Sequence, residues 1–499
     1  MNSYWIDSTK NNTTFEKLTQ DISCDVCIIG AGLFGLTTAY YLAKKGLKVV
    51  IIDKQEVGTH TSGHTTAKIT SQHGLIYDYL IQSYNTNFAQ KYLNANQEAI
   101  ANIKNIIDSE NIECDFKYEN NYVYTTNEQD IEKIKAEVAA MHSLNFDAEF
   151  VTKTELPFNT LGAIKFKNQA QFHPRKYMLG LCNSILQNDG QIFTNSTITD
   201  VKKDGNYYYS YTHSNKIKSK YVVLASHYPF LKVPGFYFAK MYQVISYVIA
   251  IDPKTKLFNG MYISTETPPF SYRTVATPDK ELLLVGGYSH KTGEKIDTTF
   301  IYNKLEEEAK KYYPDCEILY RWNTQDCVTL DKIPYIGEYS NLMPNMYIGT
   351  GFNKWGMTSS NVAANIVTDK ILGIENKYEE VFTSTRLQPV KNRWEVRNMI
   401  KDTTEGLITD KFKIPTDTLD NIEKDTGKIL EINGHKIGVY KDTSGNIFAV
   451  NPICTHLGCL LNWNNLDKTW DCPCHGSRFN YMGTNIFNPA INGLEIYNL

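Results

Sequence analysis

The sequence predicts two architectures on one chain: an α/β domain built on a parallel sheet, and a small all-β domain at the C-terminal end. Three observations predict them. An apolar strand runs into Gly30-x-Gly32-x-x-Gly35 and a helical pattern. A second glycine-rich turn followed by a helical pattern recurs between Tyr347 and Gly373. Short strand-like pieces after Pro415 lead into CTHLGCLLNWNNLDKTWDCPCHGS, from Cys454 to Ser477, which holds four cysteines and two histidines. Bulk properties limit what such a chain does. Its 499 residues suffice for two or three domains, and 51 basic against 54 acidic residues leave a formal charge of -3. Nothing in that balance points to nucleic acid or an anionic membrane as a partner. The opening MNSYWIDSTKNNTTFEKLTQ has neither a basic start nor an apolar run, and no stretch approaches the roughly 20 apolar residues that span a bilayer. The expected setting is cytoplasmic.

In chain order, the first element is Val26 to Ile29, an unbroken apolar run that suits a strand buried on both faces. Gly30 permits the tight turn after it, Gly32 lets backbone approach a pyrophosphate, and Gly35 lets helix pack on strand, with Leu33 and Phe34 between them. Ala39, Leu42 and Ala43 recur at helical spacing and Gly46 closes the helix. Val49 to Ile52 make a second strand ending in Asp53, a carboxylate able to accept a ribose hydroxyl, followed by Lys54. An isolated G-x-G-x-x-G is weak evidence, but all these parts in register indicate dinucleotide binding. Cys24 and Cys27 form a C-x-x-C, yet positions three apart on a strand face opposite sides, so the pair reads as structural. In the second turn, Gly349, Gly351 and Gly356 precede a helical face of Val362, Ala363, Ile366 and Val367. The positive end of that helix would stabilise an anionic group such as the pyrimidine edge of a reduced flavin; a plain strand-to-helix turn of the same sheet is the alternative.

Together the two ends resemble the D-amino-acid-oxidase-like family of FAD-dependent oxidoreductases, which includes glycine, sarcosine and gamma-glutamylputrescine oxidases. Gly30 to Asp53 is similar to the family's ADP-binding motif, and Gly349 to Asn353 with Gly356, Met357 and Thr358 to its flavin-contacting motif. The resemblance implies a discontinuous FAD-binding Rossmann-like domain over residues 1–375, with an α+β substrate domain inserted at about 80–325. It implies FAD contacts from Thr61, Ser62, His64 and Thr65, with His64 either covalently attached or only hydrogen-bonded. Further contacts are implied from Val201, whose backbone meets adenine, from Ala225 in a strand returning to the nucleotide domain, and from Gly351, Phe352, Gly356, Met357 and Thr358. Members of the family commonly hold a substrate carboxylate with an arginine, whose planar fork matches two oxygens. Arg321 and Arg273 are the candidates, a plain ion pair being the alternative for each, and His290 with Tyr288 and Ser289 is a candidate for the substrate pocket.

A charged connecting segment over 376–414 separates this unit from a last domain at 415–499. Lys428 to Ile432, Lys436 to Tyr440 and Ile447 to Val450 read as strands, with turns at Asn433-Gly434 and Ser444-Gly445-Asn446. Cys454-x-His456 and Cys472-x-x-His475 then supply two thiolates and two imidazoles, the ligand set of a Rieske 2Fe-2S centre. Zinc competes, but six potential ligands exceed the four it accepts, and Cys472-x-Cys474 is tighter than usual zinc spacing. The stretch resembles the Rieske proteins of cytochrome bc-type complexes. That resemblance implies an all-β Rieske domain in which Cys454 and Cys472 bind one iron, His456 and His475 bind the other, and Cys459 with Cys474 form a disulfide bracing the loops. It also matches Ser477 to a serine that donates to a bridging sulfide, and Asn488-Pro489-Ala490 to the Gly-Pro-Ala loop over the cluster. Phe479 departs from a tyrosine that donates to a cysteine sulfur, which predicts a lower potential.

Such a cluster takes one electron at a time, whereas a nicotinamide gives up two together as hydride. A reduced flavin releases them singly, so the pairing favours FAD over NAD. The combination is similar to bacterial Rieske-containing FAD-dependent oxidoreductases. It implies oxidation of a C–N bond of a small amine or amino acid, with electrons relayed through the cluster to an acceptor; a protein that accepts or donates single electrons is an expected partner. Two other readings are an electron-transfer or redox-sensing protein without an organic substrate, and a Rieske oxygenase. The latter would also need a mononuclear iron held by two histidines and a carboxylate, a second metal site in addition to the cluster.

Overall fold

The computed structural model describes residues 3–10, 14–386 and 418–499. Its first sheet has eight strands. The unbroken apolar segments lie at its centre, since only such residues tolerate helices on one face and further packing on the other. Ile22–Ile29 pairs in parallel with Val49–Ile52 and with Lys216–Leu224. Val26 stands beside Val49 and Tyr221, and Ile29 beside Ile52 and Leu224. Leu224 in turn pairs with Ile348 of the Met346–Thr350 strand. This register ends four parallel strands at one level. Gly30, Asp53, Ala225 and Gly349 therefore emerge along one edge, where open α/β sheets form their crevice. The helices Leu33–Lys44 and Gly356–Leu372 follow two of these strands and pack together across buried apolar residues that include Leu36, Ala363 and Val367.

The second sheet has nine strands and begins at Lys68–Ile69. At its other end the strands Glu317–Thr329, Met241–Asp252 and Glu281–Lys291 lie side by side and antiparallel. Between these parts the chain returns to the first sheet, through the helix Pro174–Gln187 and the strands from Gln191 to Leu224. The inserted domain is thus two pieces, not one run from 80 to 325. The strand that marks the return, Gln191–Phe193, has only three residues and carries little pattern of its own.

Two four-stranded antiparallel sheets build the last domain. One holds Thr426–Ile432, His435–Lys441 and Ile447–Val450, close to the expected strands. In the other, Trp463, Trp470 and Phe479 stand abreast on neighbouring strands, and Trp470 and Phe479 are fully buried. Much of the expected connecting segment and the expected start at Pro415 lie outside the described residues. Among the described residues, no helix is long and apolar enough to cross a membrane.

Candidate functional site

A cavity follows the carboxyl edge of the first sheet and continues against the second. Gly30, Gly32, Leu33, Phe34, Asp53 and Lys54 line it, as do Thr61, Ser62, Thr65 and Ala225. So do Phe352, Gly356 and Met357 from the second glycine-rich turn. The three glycines of the first turn do different work. A Cβ on Gly30 would overlap the Ala225 carbonyl and one on Gly35 the Gly30 carbonyl, whereas one on Gly32 would meet only Ser62 Oγ, at 3.1 Å, and otherwise point into open cavity. That open approach beside a helix N-terminus suits a pyrophosphate. Gly349 admits the Phe34 ring, which a Cβ would meet at 2.8 Å, and so ties the two turns together. Asp53 accepts from Ala31 N–H at 2.7 Å and Gln55 N–H at 2.8 Å. Burial raises its pKa. Two histidines that the motifs did not single out also face the cavity: His60 Nε2 and His227 Nε2 are buried without a hydrogen-bond partner, as are Tyr228 OH and Ser246 Oγ.

Charged groups of the cavity differ from those expected. Lys68, Asp326 and Lys354 line it, and burial brings Lys68 down to about 7 and Asp326 up to about 6. Lys68 Nζ donates to Tyr262 O and Ser271 Oγ, both at 2.6 Å. Lys354 follows the second turn, and its charge eases the ionisation of Asp326. None of the three carries a recognisable motif.

Several sequence expectations need correction. Arg273 does not reach the cavity: its guanidinium donates to Gln171 Oε1 and to the carbonyls of Thr66, Ala67 and Phe172, which commits it to holding buried backbone. Arg321 is paired with Glu306 through Nε at 2.8 Å, on a strand position turned away from the cavity. His290 alternates with Ser289, so Ser289 lines the cavity while the His290 ring lies behind it, 2.9 Å from Tyr247 OH. Val201 is held in the Asp200–Asp204 strand opposite Ser210 and its N–H goes to Asp200, so Ser196, Thr197 and Ile198 line the cavity in its stead. His64 lies outside the main cavity with Nδ1 2.9 Å from the His60 carbonyl, because the short turn Thr61–Gly63 reverses the chain between the two histidines. Thr358 Oγ1 donates to Thr70 O at 3.0 Å, away from the cavity. Gly351 and Gly35 act through packing: Gly351 has φ +69° and a Cβ there would overlap Thr329.

In the last domain, Cys459 and Cys474 form a disulfide. Beside it lie Cys454, His456, Cys472 and His475, all buried. Burial holds His456 down to about 3 and His475 down to about 4, so both imidazoles are neutral, the form that ligates metal. Each leaves its Nδ1 buried and without a partner. The neighbouring Cys472 thiol and Ser477 hydroxyl hold the Cys454 pKa below its ordinary value, which favours its thiolate. Two free thiols, two orphaned imidazole nitrogens and a spent cystine match the donors of a Rieske centre. Cys459, Cys472 and Cys474 also lie close together, but two of those sulfurs are consumed by the disulfide, so they are no ligand set.

These two sites are joined. Gln243 lines the cavity, and its Nε2 donates to the carbonyls of His475 at 2.7 Å and Asn488 at 2.9 Å. Gln325, one strand over, donates to Gly476 O at 2.6 Å. Gly476 has φ +79°, and a Cβ on it would meet Gln243 at 2.7 Å, so the close approach requires glycine. Phe238 lies edge-on over His475, 5.7 Å between ring centres, and 6.3 Å from His456.

Comparison with known proteins accords with this geometry. The FAD dependent oxidoreductase family matches residues 25–370. The chain belongs to that family. A Rieske 2Fe-2S domain matches residues 413–498 of this oxidoreductase. Both halves recur together in YhfW of Bacillus subtilis, named as a Rieske 2Fe-2S iron-sulfur protein, which is 40% identical over 493 residues, 99% of this chain and 97% of its own. The gamma-glutamylputrescine oxidoreductase of Escherichia coli is 23% identical over 391 residues, covering 76% of this chain and 90% of the relative. Among solved structures, glycine oxidase from Geobacillus kaustophilus superposes with a TM-score of 0.62 at 17% identity, over 74% of this chain and 100% of its own, a likeness of fold. The cofactors of this FAD oxidoreductase are FAD and a 2Fe-2S cluster.

Proposed function

We propose that the protein oxidises the C–N bond of a small amine or amino acid in the cavity and delivers the electrons, within the same chain, to its Rieske centre. Gln243 carries the reading: one side chain belongs to the cavity wall and grips the backbone of a cluster ligand. When bound, FAD accepts two electrons from a C–H bond next to nitrogen, and the iron-sulfur centre accepts electrons one at a time.

The chain's own groups supply the rest. Lys68, poised near neutrality and already oriented by Tyr262 and Ser271, binds a substrate carboxylate. Asp326, raised by burial, takes the proton of a substrate ammonium so that nitrogen enters oxidation with its lone pair free. Lys354 opposes it and keeps the carboxylate ionisable. Ser289 and the glycines before it leave room against the second sheet for a small side chain. Gln243 and Gln325 hold the second cluster loop against the wall of the cavity, which fixes the separation of donor and acceptor.

Anaerobic rapid mixing with a panel of amines, amino acids and N-methyl amino acids tests this, with flavin and cluster absorbance followed separately. Flavin bleaching by at least one compound, followed by cluster bleaching in the same chain, is expected. Bleaching by reduced proteins or NAD(P)H alone would replace this reading with a pure electron carrier.

A further inference from the structure

We infer that the FAD site is completed by the Rieske domain: its loop from Asn485 to Ile491 is a shared wall, cluster cover on one side and dinucleotide pocket on the other. This inference rests on the FAD and Rieske assignments and is independent of the substrate.

Four residues of this loop, Asn485, Phe487, Asn488 and Ile491, line the same cavity as Gly30 and Asp53. Contacts with the nucleotide domain locate it at the Asp53 end. Lys54 Nζ, next to Asp53, donates to Ile486 O at 3.1 Å. Phe487 packs edge-on against His60, 5.5 Å between centres, and Ile491 packs on the apolar cluster that contains Ile52 and Ile198. Asn488 Nδ2 donates to the carbonyls of Ser226 and Tyr228, both at 3.3 Å, directly after the strand that ends beside Gly30. The loop is therefore sewn to the backbone around the dinucleotide end by side-chain and main-chain bonds alike.

Its other side faces the cluster. Ala490 N–H donates to Ser477 Oγ at 3.0 Å, on the loop that carries Cys472 and His475. Asn488 O accepts from Gln243, which also holds His475 O. Contacts thus run from the ligand-bearing loop, through Asn488 and Ala490, to the cavity wall. A ligand filling the cavity would buttress Phe487 and Ile491, and its loss would leave both facing open space. The apolar pair fits the flat, weakly polar surface of an adenine or its ribose edge, while the Asn488 amide is already committed to Lys54, Ser226 and Tyr228.

Hydrogen–deuterium exchange on the full protein, with FAD bound and after FAD is stripped, is the direct test. Exchange within residues 485–491 is expected to slow by about tenfold or more when FAD is restored, a change equal to about 1.4 kcal/mol. Equal exchange in both states overturns the inference. Phe487→Ala and Ile491→Ala provide a second reading by fluorescence titration of FAD, with iron content and the electron paramagnetic resonance of the cluster as controls. About tenfold weaker FAD binding at full cluster content supports the shared wall. Unchanged FAD affinity in both variants refutes it, and where a variant loses its cluster the exchange result on the native chain decides.

Discussion

Replacing Gln243 by leucine is the sharpest test of how the two halves are coupled. Leucine keeps the bulk of the side chain but removes both hydrogen bonds to the carbonyls of His475 and Asn488. Gln243 is only 1% exposed, so water does not readily replace what is lost. At about 1 to 1.5 kcal/mol for each bond, the substitution costs about 2 to 3 kcal/mol of docking. Gln325 still holds Gly476, so the domain stays tethered at one point. A cost of that size lowers the ratio of docked to undocked domain by about 30- to 150-fold. The assay reduces FAD with light and a sacrificial donor, bypassing any substrate, and times the bleaching of the cluster. Slower cluster reduction is expected in the variant, with faster hydrogen exchange at Gly476, whose N–H bonds to Cys472 O. If cluster reduction and exchange match the native protein while FAD and iron are fully retained, the clasp has no part in the transfer.

Three further outcomes are expected. Phe479→Tyr places a hydroxyl at a fully buried site two residues after Ser477. One new hydrogen bond to a cysteine sulfur, about 1 kcal/mol, would raise the potential of the one-electron couple by about 40 mV; a redox titration that finds no rise removes the explanation. Burial sets Lys68 at about 7, so its ammonium is present below that pH and disappears as pH rises through it. KM for a carboxylate-bearing substrate should therefore climb about tenfold per pH unit above pH 7, and Lys68→Met should raise KM and flatten the profile. Arg273→Leu strips four acceptors, three of them buried, of their donor and should destabilise the fold by at least about 3 kcal/mol without a specific effect on KM. Arg321→Ala, whose side chain is 39% exposed, should cost less than about 1 kcal/mol; denaturation midpoints and substrate titrations of both variants separate these cases.

The features legible from sequence are those whose chemistry is local. A strand, the three motif glycines, a helix and a terminal acid fall within 28 residues from Val26 to Asp53, and the cluster ligands within 22 from Cys454 to His475, so spacing alone constrains them. Residues that act across the chain gave no such signal. Arg273 has the same five donors whether they meet a substrate or the carbonyls of Thr66 and Phe172, and the difference is decided by segments about 100 and 200 residues away. His60 and His64 stand four apart in one loop, and only the reversal at Thr61–Gly63 sends His60 to the cavity. Gln243 and Gln325 look like ordinary polar positions of an alternating strand; their partners lie in another domain. Lys68 and Lys354 are unremarkable until the cavity is seen around them, and a hydrophobic periodicity cannot distinguish the strand face that looks into a pocket from the one that looks into core.

Phe238, Gln243 and Gln325 close over the second ligand loop so fully that His475 is only 3% exposed. Enclosure of this kind shields Cys454, His456, Cys472 and His475 from water, so fixed protein dipoles rather than bulk solvent would tune a group held there.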